Sequence, residues 1–271
     1  MNRKEIADCV LKKLEIHKSE LSELYNASNS IISYFFIDDV LPSALLEKAN
    51  AVFPLTSDCS LKKSLKEQKY VSAQMNTHHP ILEEILFAFQ DVRVVKCIQD
   101  ICGIESPIEP DANLYAGGLS LMNKGCFLNP HLDNSHDAER SRWRALNLLL
   151  YISPDWKLNY GGNLELWPEG VNGSSVEILS KFNRLVVMET HDASWHSVNE
   201  IAVNKERKCI SNYYFSPTPL TMHKGFHVTT FKGRPNQKLR SAVLKADSKL
   251  RMGILKFFKK GIRKNPHIYK K

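Results

Sequence analysis

The first hundred residues repeat at helical spacing, and the next hundred do not. Ile6, Val10, Leu14, Leu21 and Leu24 recur near multiples of a helical turn, which predicts helix over residues 1–27. YFFIDDVLP (34–42) predicts a strand leading into a helix over SALLEKANAVF, with Asp38 or Asp39 as its cap. SLKKSLKEQKYVSAQ is polar throughout and predicts loop or sheet edge. ILEEILFAFQDVRVVKCIQDICG (81–103) predicts strong helix with room for one break, stopped by Gly103.

From about 112 to 217 the apolar runs shorten, alternate, and are broken by Gly, Asn and Pro. NLYAGGLSLM, RALNLLLYIS, GNLELWPE, VEILS, NRLVVMET, WHSVNEI and RKCISNYYFS are the strand candidates. Many short strands separated by turn signals point to a sandwich or jelly-roll barrel. No internal repeat or low-complexity linker interrupts them. From about 224 the spacing of Leu239, Val243, Leu250, Ile254 and Phe257 predicts a basic amphipathic helix. The expected organisation is an N-terminal helical and strand support over 1–110, a β core over 111–220 and a basic, helical extension over 221–271.

Charge sharpens this division. The last 48 residues, from Lys224, hold 15 basic side chains and one acid, Asp247, so the tail carries +14 and the preceding body −6. The tail therefore sets the overall basicity. Three roles suit it: a solvated helix packed on the domain, attraction to an anionic membrane surface through ILKFFKKGIRK, or nucleic-acid contact. No apolar run approaches the roughly 20 residues needed to span a bilayer, and the N-terminus lacks a signal peptide's uninterrupted apolar core. Six dispersed cysteines without a C-x-x-C pair suggest reduced thiols and a cytoplasmic setting.

Candidate chemistry begins at CFLNPHLDNSHD (126–137). His131 and Asp133, one residue apart on extended chain, would leave on the same face with Cα atoms roughly 6.5 Å apart. That is close enough to share a cation. Downstream, ETHDASWHSVNEI offers His191 or His196 as a third donor, and His196 precedes an alternating strand. Two histidines and a carboxylate match the facial triad of non-haem Fe(II) oxygenases. Zinc hydrolases use similar donors, so the triad leaves two chemistries open. Arg207 opens a largely apolar strand, where a guanidinium needs an anionic partner such as a dicarboxylate. Tyr151 is placed to offer the same carboxylate a second hydrogen bond.

Five pieces in order, HLD, RALNLLLYISPDW, GGNLELWPEG, FNRLVVMETHDASWHSV and RKCISNYYF, resemble the core of the 2-oxoglutarate/Fe(II)-dependent dioxygenases, within them the prolyl hydroxylases and especially the oxygen-sensing branch. The resemblance implies a mainly β fold with flanking helices around a double-stranded β-helix (jelly-roll) core. It implies Fe(II) on His131, Asp133 and His196. It implies 2-oxoglutarate held at its distal carboxylate by Arg207 with Tyr151, in a pocket lined by Leu164 and Val198. O2 would be the oxidant, succinate and CO2 the co-products, and ascorbate a reductant that keeps iron ferrous. The implied reaction is hydroxylation of an unactivated C–H bond, by closest analogy of a prolyl residue in a protein or peptide. A small molecule such as an amino acid, saccharide or biosynthetic intermediate is the alternative, and a non-catalytic binding module a further one. One departure stands out. The oxygen-sensing enzymes carry a tyrosine ten residues before the first ligand, where this chain has Leu121.

Other residues read more plainly. His136 and Asp137 suit a solvated or supporting role, and His78 with His79 the surface. Trp143, Trp156, Trp167 and Trp195 suit barrel packing ahead of a substrate groove. Gly161 and Gly162 suit a tight turn or bulge.

Overall fold

A computed structural model describes residues 1–28, 32–220, 225–257 and 268–270, with side chains in the last helix described to residue 254. The chain opens with helices α1 (Arg3–Ile16) and α2 (Lys18–Ala27), then strand β1 (Tyr34–Asp38) and helix α3 (Ser43–Ala51). A hairpin of β2 (Ser60–Lys63) and β3 (Glu67–Ser72) precedes helices α4 (Pro80–Ala88) and α5 (Val92–Ile101). The strand-rich part runs through β4 (Glu109–Pro110), β5 (Gly118–Met122), β6 (Phe127–Leu132), β7 (Trp143–Tyr151), β8 (Leu164–Leu166) and β9 (Val176–Ile178). It ends with β10 (Arg184–Glu189), β11 (His196–Val198), β12 (Arg207–Ser216) and β13 (Thr230–Phe231), before helix α6 (Lys238–Phe257).

The strands form one curled antiparallel sheet in the order β1-β10-β7-β12-β5-β3-β6-β11-β8-β9, with β13 on β6, β2 on β3 and β4 on β12. This is the mainly β, jelly-roll architecture with flanking helices that the strand pattern predicts. The apolar run of β7 explains the layering. Leu146, Leu148 and Leu150 point to the helices, where they join Leu185, Val187, Ile210 and Tyr214 beneath α1, α3, α4 and α5. Tyr151 points the other way with Val186, Met188 and Cys209. A strand covered on both faces reads as a continuous hydrophobic run.

Local signals account for the helix ends. Asn2 and Glu5 form a reciprocal cap on α1, His79 caps α4, Asp91 caps α5, and Gly103 follows at φ 62°. Leu24, predicted as part of the buried face, is 43% exposed. The aspartate cap expected for α3 is absent: its N-cap is Pro42. Asp38 instead pairs with Arg184 at 2.6 Å and Lys181 at 2.8 Å, and Asp39 turns the chain at φ 56°.

SLKKSLKEQKYVSAQ is a larger difference. It is the β2–β3 hairpin, and β3 lies inside the sheet between β5 and β6. Its polarity reflects the cavity it faces. β6 and β13 were also not among the predicted strands; Pro130 masks β6. In α6 the described buried positions are Leu244 and Ser248, whereas Leu239, Val243 and Leu250 are exposed. Its inward face is therefore offset from the predicted one. The side chain of Phe257 and most of ILKFFKKGIRK lie outside the described residues. All six cysteines are free thiols. No helix among the described residues is long and apolar enough to cross a membrane.

Candidate active site

The curled sheet encloses a cavity of about 620 Å³ lined from both halves, including His131, Asp133, His196, Arg207, Leu164 and Val198. His131 and His196 are partners in the β6–β11 ladder, with ring centroids 4.1 Å apart. Asp133 follows just beyond the end of β6. Its Oδ1 lies 3.8 Å from His131 Nε2 and its Oδ2 3.8 Å from His196 Nε2. One donor atom from each of the three residues falls within 4.8 Å of the others.

The surroundings prepare these donors. Each imidazole gives its Nδ1–H to a backbone carbonyl, His131 to Asn129 at 3.0 Å and His196 to Ser194 at 2.9 Å. The Nε2 lone pairs are thereby turned inward. Burial, assisted by the neighbouring His196, holds the His131 ring well below the usual imidazole range, so it is neutral. Burial alone would raise Asp133, but Arg144, with Nη1 3.3 Å from Oδ1, and the two histidines hold it well below the carboxylate range. Asp133 Oδ2 is buried without a hydrogen-bond partner. Two imidazoles and one carboxylate with an orphaned buried oxygen fit a divalent metal ion better than they fit each other.

Deeper in the barrel Arg207 is 3% exposed. Its Nε donates to Ser180 Oγ at 3.2 Å and Nη1 lies 3.6 Å from Met122 Sδ. Among the described residues no carboxylate pairs with it. Its guanidinium sits 4.7 Å from the centroid of the Tyr151 ring. Tyr151 is behind the cavity wall rather than on it; its hydroxyl has no hydrogen-bond partner, and burial pushes that hydroxyl up to about 12 against the pull of Arg207. Ser180 is held in turn by its bond to the Gly162 carbonyl at 2.7 Å. The double glycine makes the turn possible: at Gly161, φ 72°, a Cβ would fall 1.9 Å from the Glu200 carbonyl oxygen.

Leu121 does not face this cavity. It is fully buried among the helix-side apolar residues, and β5 presents Ser120 and Met122 to the cavity instead. The position opposite Arg207 is Met122. His191 lies on a turn where its Nδ1 accepts from Ala193 N at 3.1 Å, outside the donor cluster. His136 and Asp137 are buried, not solvated: Asp137 accepts from Ser141 and Arg142, and His136 packs on Trp143. None of the four tryptophans lines the cavity; Trp156 and Trp167 are buried, donating to Gly161 O and Ser197 Oγ at 2.8 Å each. His78 bonds Ser72 Oγ at 2.7 Å.

Several participants escaped the sequence reading. Arg144, 5% exposed and directed at Asp133, is the second residue of β7 as Arg207 is the first of β12, so a charge at the start of an apolar strand marks both. Behind His196, Ser197 Oγ donates to Glu165 at 2.6 Å, and Arg234 grips Glu165 at 3.0 and 2.7 Å. This ties the basic tail to the strand that carries His196. No local pattern announces it, because Arg234 and Glu165 are 69 residues apart.

Residues 117–215 match the family model of the 2OG-Fe(II) oxygenase superfamily. Among solved structures, a prolyl hydroxylase from Trichoplax adhaerens, in complex with a hypoxia inducible factor oxygen degradation domain peptide fragment, is similar at TM-score 0.55 and 16% identity, over 75% of this chain and 92% of that one. A Pseudomonas putida prolyl-4-hydroxylase is similar at TM-score 0.52 and 16% identity, over 73% and 100%. A Phytophthora capsici prolyl 4-hydroxylase is similar at TM-score 0.53 and 20% identity, over 78% and 65%. At such identities the likeness is one of fold.

Proposed function

We propose, from the match of residues 117–215 to the family model of the 2OG-Fe(II) oxygenase superfamily, that this chain is a hydroxylase using Fe(II), 2-oxoglutarate and O2, with its metal on His131, Asp133 and His196. The observation that carries this reading is the convergence of those three donors around a buried, unpartnered carboxylate oxygen. With Fe(II) bound there, the group supplies the chemistry by which 2-oxoglutarate and O2 yield succinate, CO2 and a hydroxylated C–H carbon.

The chain's own residues do the rest. Arg207 binds the distal carboxylate of 2-oxoglutarate in a dry pocket, where a charge-assisted fork is strongest. Tyr151 packs its ring against the guanidinium and steadies it from behind the cavity wall. Leu164 and Val198 pack along the co-substrate and exclude water. Met122 occupies the inner wall, so Leu121 contributes packing only. Arg144 keeps Asp133 ionised and fixes its rotamer, and Asn129 and Ser194 hold the two rings in the ligating tautomer.

For the substrate, a prolyl residue of a protein or peptide is the reading the fold relatives favour, and a small molecule remains the second. Ascorbate serves as reductant in the assay rather than as a bound group. For the tail, the pairing of Arg234 with Glu165 and of Asp247 with Lys66 supports packing on the domain ahead of membrane or nucleic-acid contact. The test is succinate formation from 2-oxoglutarate with Fe(II) and ascorbate. Wild type should turn over 2-oxoglutarate, at least in uncoupled form, and His131→Ala should not; a His131→Ala protein with normal turnover would end the proposal.

A further inference from the structure

The mouth of the same cavity carries a charge the co-substrate does not use. Seven basic side chains line the cavity, Lys62, Lys66, Lys69, Arg140, Arg144, Arg207 and Arg251, against three acids, Glu67, Asp133 and Asp137. A divalent metal and dianionic 2-oxoglutarate cancel each other, so the positive excess persists in the loaded enzyme. Asp247, just behind the wall, is shared between Lys66 at 2.7 Å and Arg251 at 2.8 Å, one carboxylate for two cations.

Two features mark where an anion would sit. Lys62 and Lys69 are directly opposed across the β2–β3 hairpin, and both reach the cavity. Like charges facing one another across an antiparallel pair are unfavourable. Glu67 lies 3.1 Å from Lys69, but among the described residues Lys62 has no ionic partner. Arg140, which also lines the cavity, is held 3.8 Å from the Phe226 ring centroid, also with no carboxylate partner among the described residues. A stacked guanidinium is fixed in place while its N–H edge stays available.

We infer that the substrate is an anion, with a phosphate or carboxylate group held at the mouth by Lys62, opposite Lys69, and by Arg140. The inference rests on the oxygenase reading and deepens it: these residues select the substrate, and the metal donors and Arg207 do not. The phosphate of a small molecule and the acidic side chains of a peptide are the two sources of such a group, and the test separates them.

The protein is loaded with Mn(II), which suits the same donors, and 2-oxoglutarate binding is measured first by calorimetry. Failure of that step refutes the oxygenase reading, whatever anions do. Inorganic phosphate and an oligoglutamate peptide are then titrated separately into the loaded protein. Saturable binding of at least one is expected, weakened by about tenfold or more in the Lys62→Met/Arg140→Met double variant. The 2-oxoglutarate affinity should be unchanged in that variant, and Lys62→Arg/Arg140→Lys should recover anion binding. Tighter phosphate binding assigns a small phosphorylated substrate; tighter oligoglutamate binding assigns an acidic peptide. The proposal is overturned if neither anion saturates, if binding survives the double substitution, or if 2-oxoglutarate displaces the anion or loses affinity in step with it.

Discussion

Replacing Arg207 with methionine separates a ligand-binding charge from a structural one. The guanidinium is 3% exposed, and its protein contacts are one bond to Ser180 at 3.2 Å, a sulfur contact at 3.6 Å and the Tyr151 ring. None of these neutralises it. Hydrogen bonds to charged groups contribute about 1.5–3 kcal/mol each; taken at about 1.5–2 kcal/mol for each of two prongs that share one charge, losing the grip on a carboxylate should cost about 3–4 kcal/mol of 2-oxoglutarate binding. At about 1.4 kcal/mol per tenfold, the dissociation constant should rise about 10²- to 10³-fold. The stability of the ligand-free protein should move the other way. An uncompensated buried cation is expensive, and an apolar side chain of similar length is expected to leave stability unchanged or raise it by about 1 kcal/mol. Calorimetry with Mn(II) and 2-oxoglutarate gives the first quantity and denaturant unfolding the second. The reasoning is refuted if Arg207→Met keeps its 2-oxoglutarate affinity, or if it unfolds more easily by about 2 kcal/mol or more.

Two further outcomes are expected. Glu189 is buried, and burial raises its carboxyl to about 7, against the favourable bond from Ser33. Its cost is absent below the unfolded value near 4.5 and develops as pH rises through about 7, to about 3 kcal/mol. Glu189→Gln should therefore raise the melting temperature at pH 8 and leave it nearly unchanged at pH 4; an equal effect at both would contradict this. Leu121→Tyr should destabilise by about 1–3 kcal/mol through overpacking on the helix side and leave 2-oxoglutarate affinity unaltered, measured by unfolding and calorimetry; a gain in affinity would show that position 121 reaches the pocket.

The parts of this molecule legible in the sequence are those whose signal is local. β7, β10 and β12 declare themselves because each is covered on both faces and so reads as an apolar run. The α4–α5 break shows in FQD, where Asp91 caps the second helix. Arg207 stands out as a charge among apolar neighbours. What stayed hidden depends on partners distant in the chain. The lysines of β2 and β3 read as surface because their partner is a cavity, not a core. Leu121 holds the position, ten residues before His131, at which the oxygen-sensing enzymes carry a tyrosine, but spacing alone does not say which way it faces. A strand turns alternate residues to opposite faces, so one position decides the matter: Ser120 and Met122 face the cavity and Leu121 does not. The helical spacing of the tail was readable, but its buried face was not, since Leu244 packs with Met122, Cys126 and Phe231 from remote elements.

The central claim is that His131, Asp133 and His196 close on one ferrous ion beside a 2-oxoglutarate anchored by Arg207. Its most direct test is anaerobic titration of the purified protein with Fe(II) followed by 2-oxoglutarate, read by visible absorbance. A weak metal-to-ligand charge-transfer band should grow to about one equivalent of each and be missing in Asp133→Ala. A featureless spectrum, or the same band in Asp133→Ala, would contradict the account.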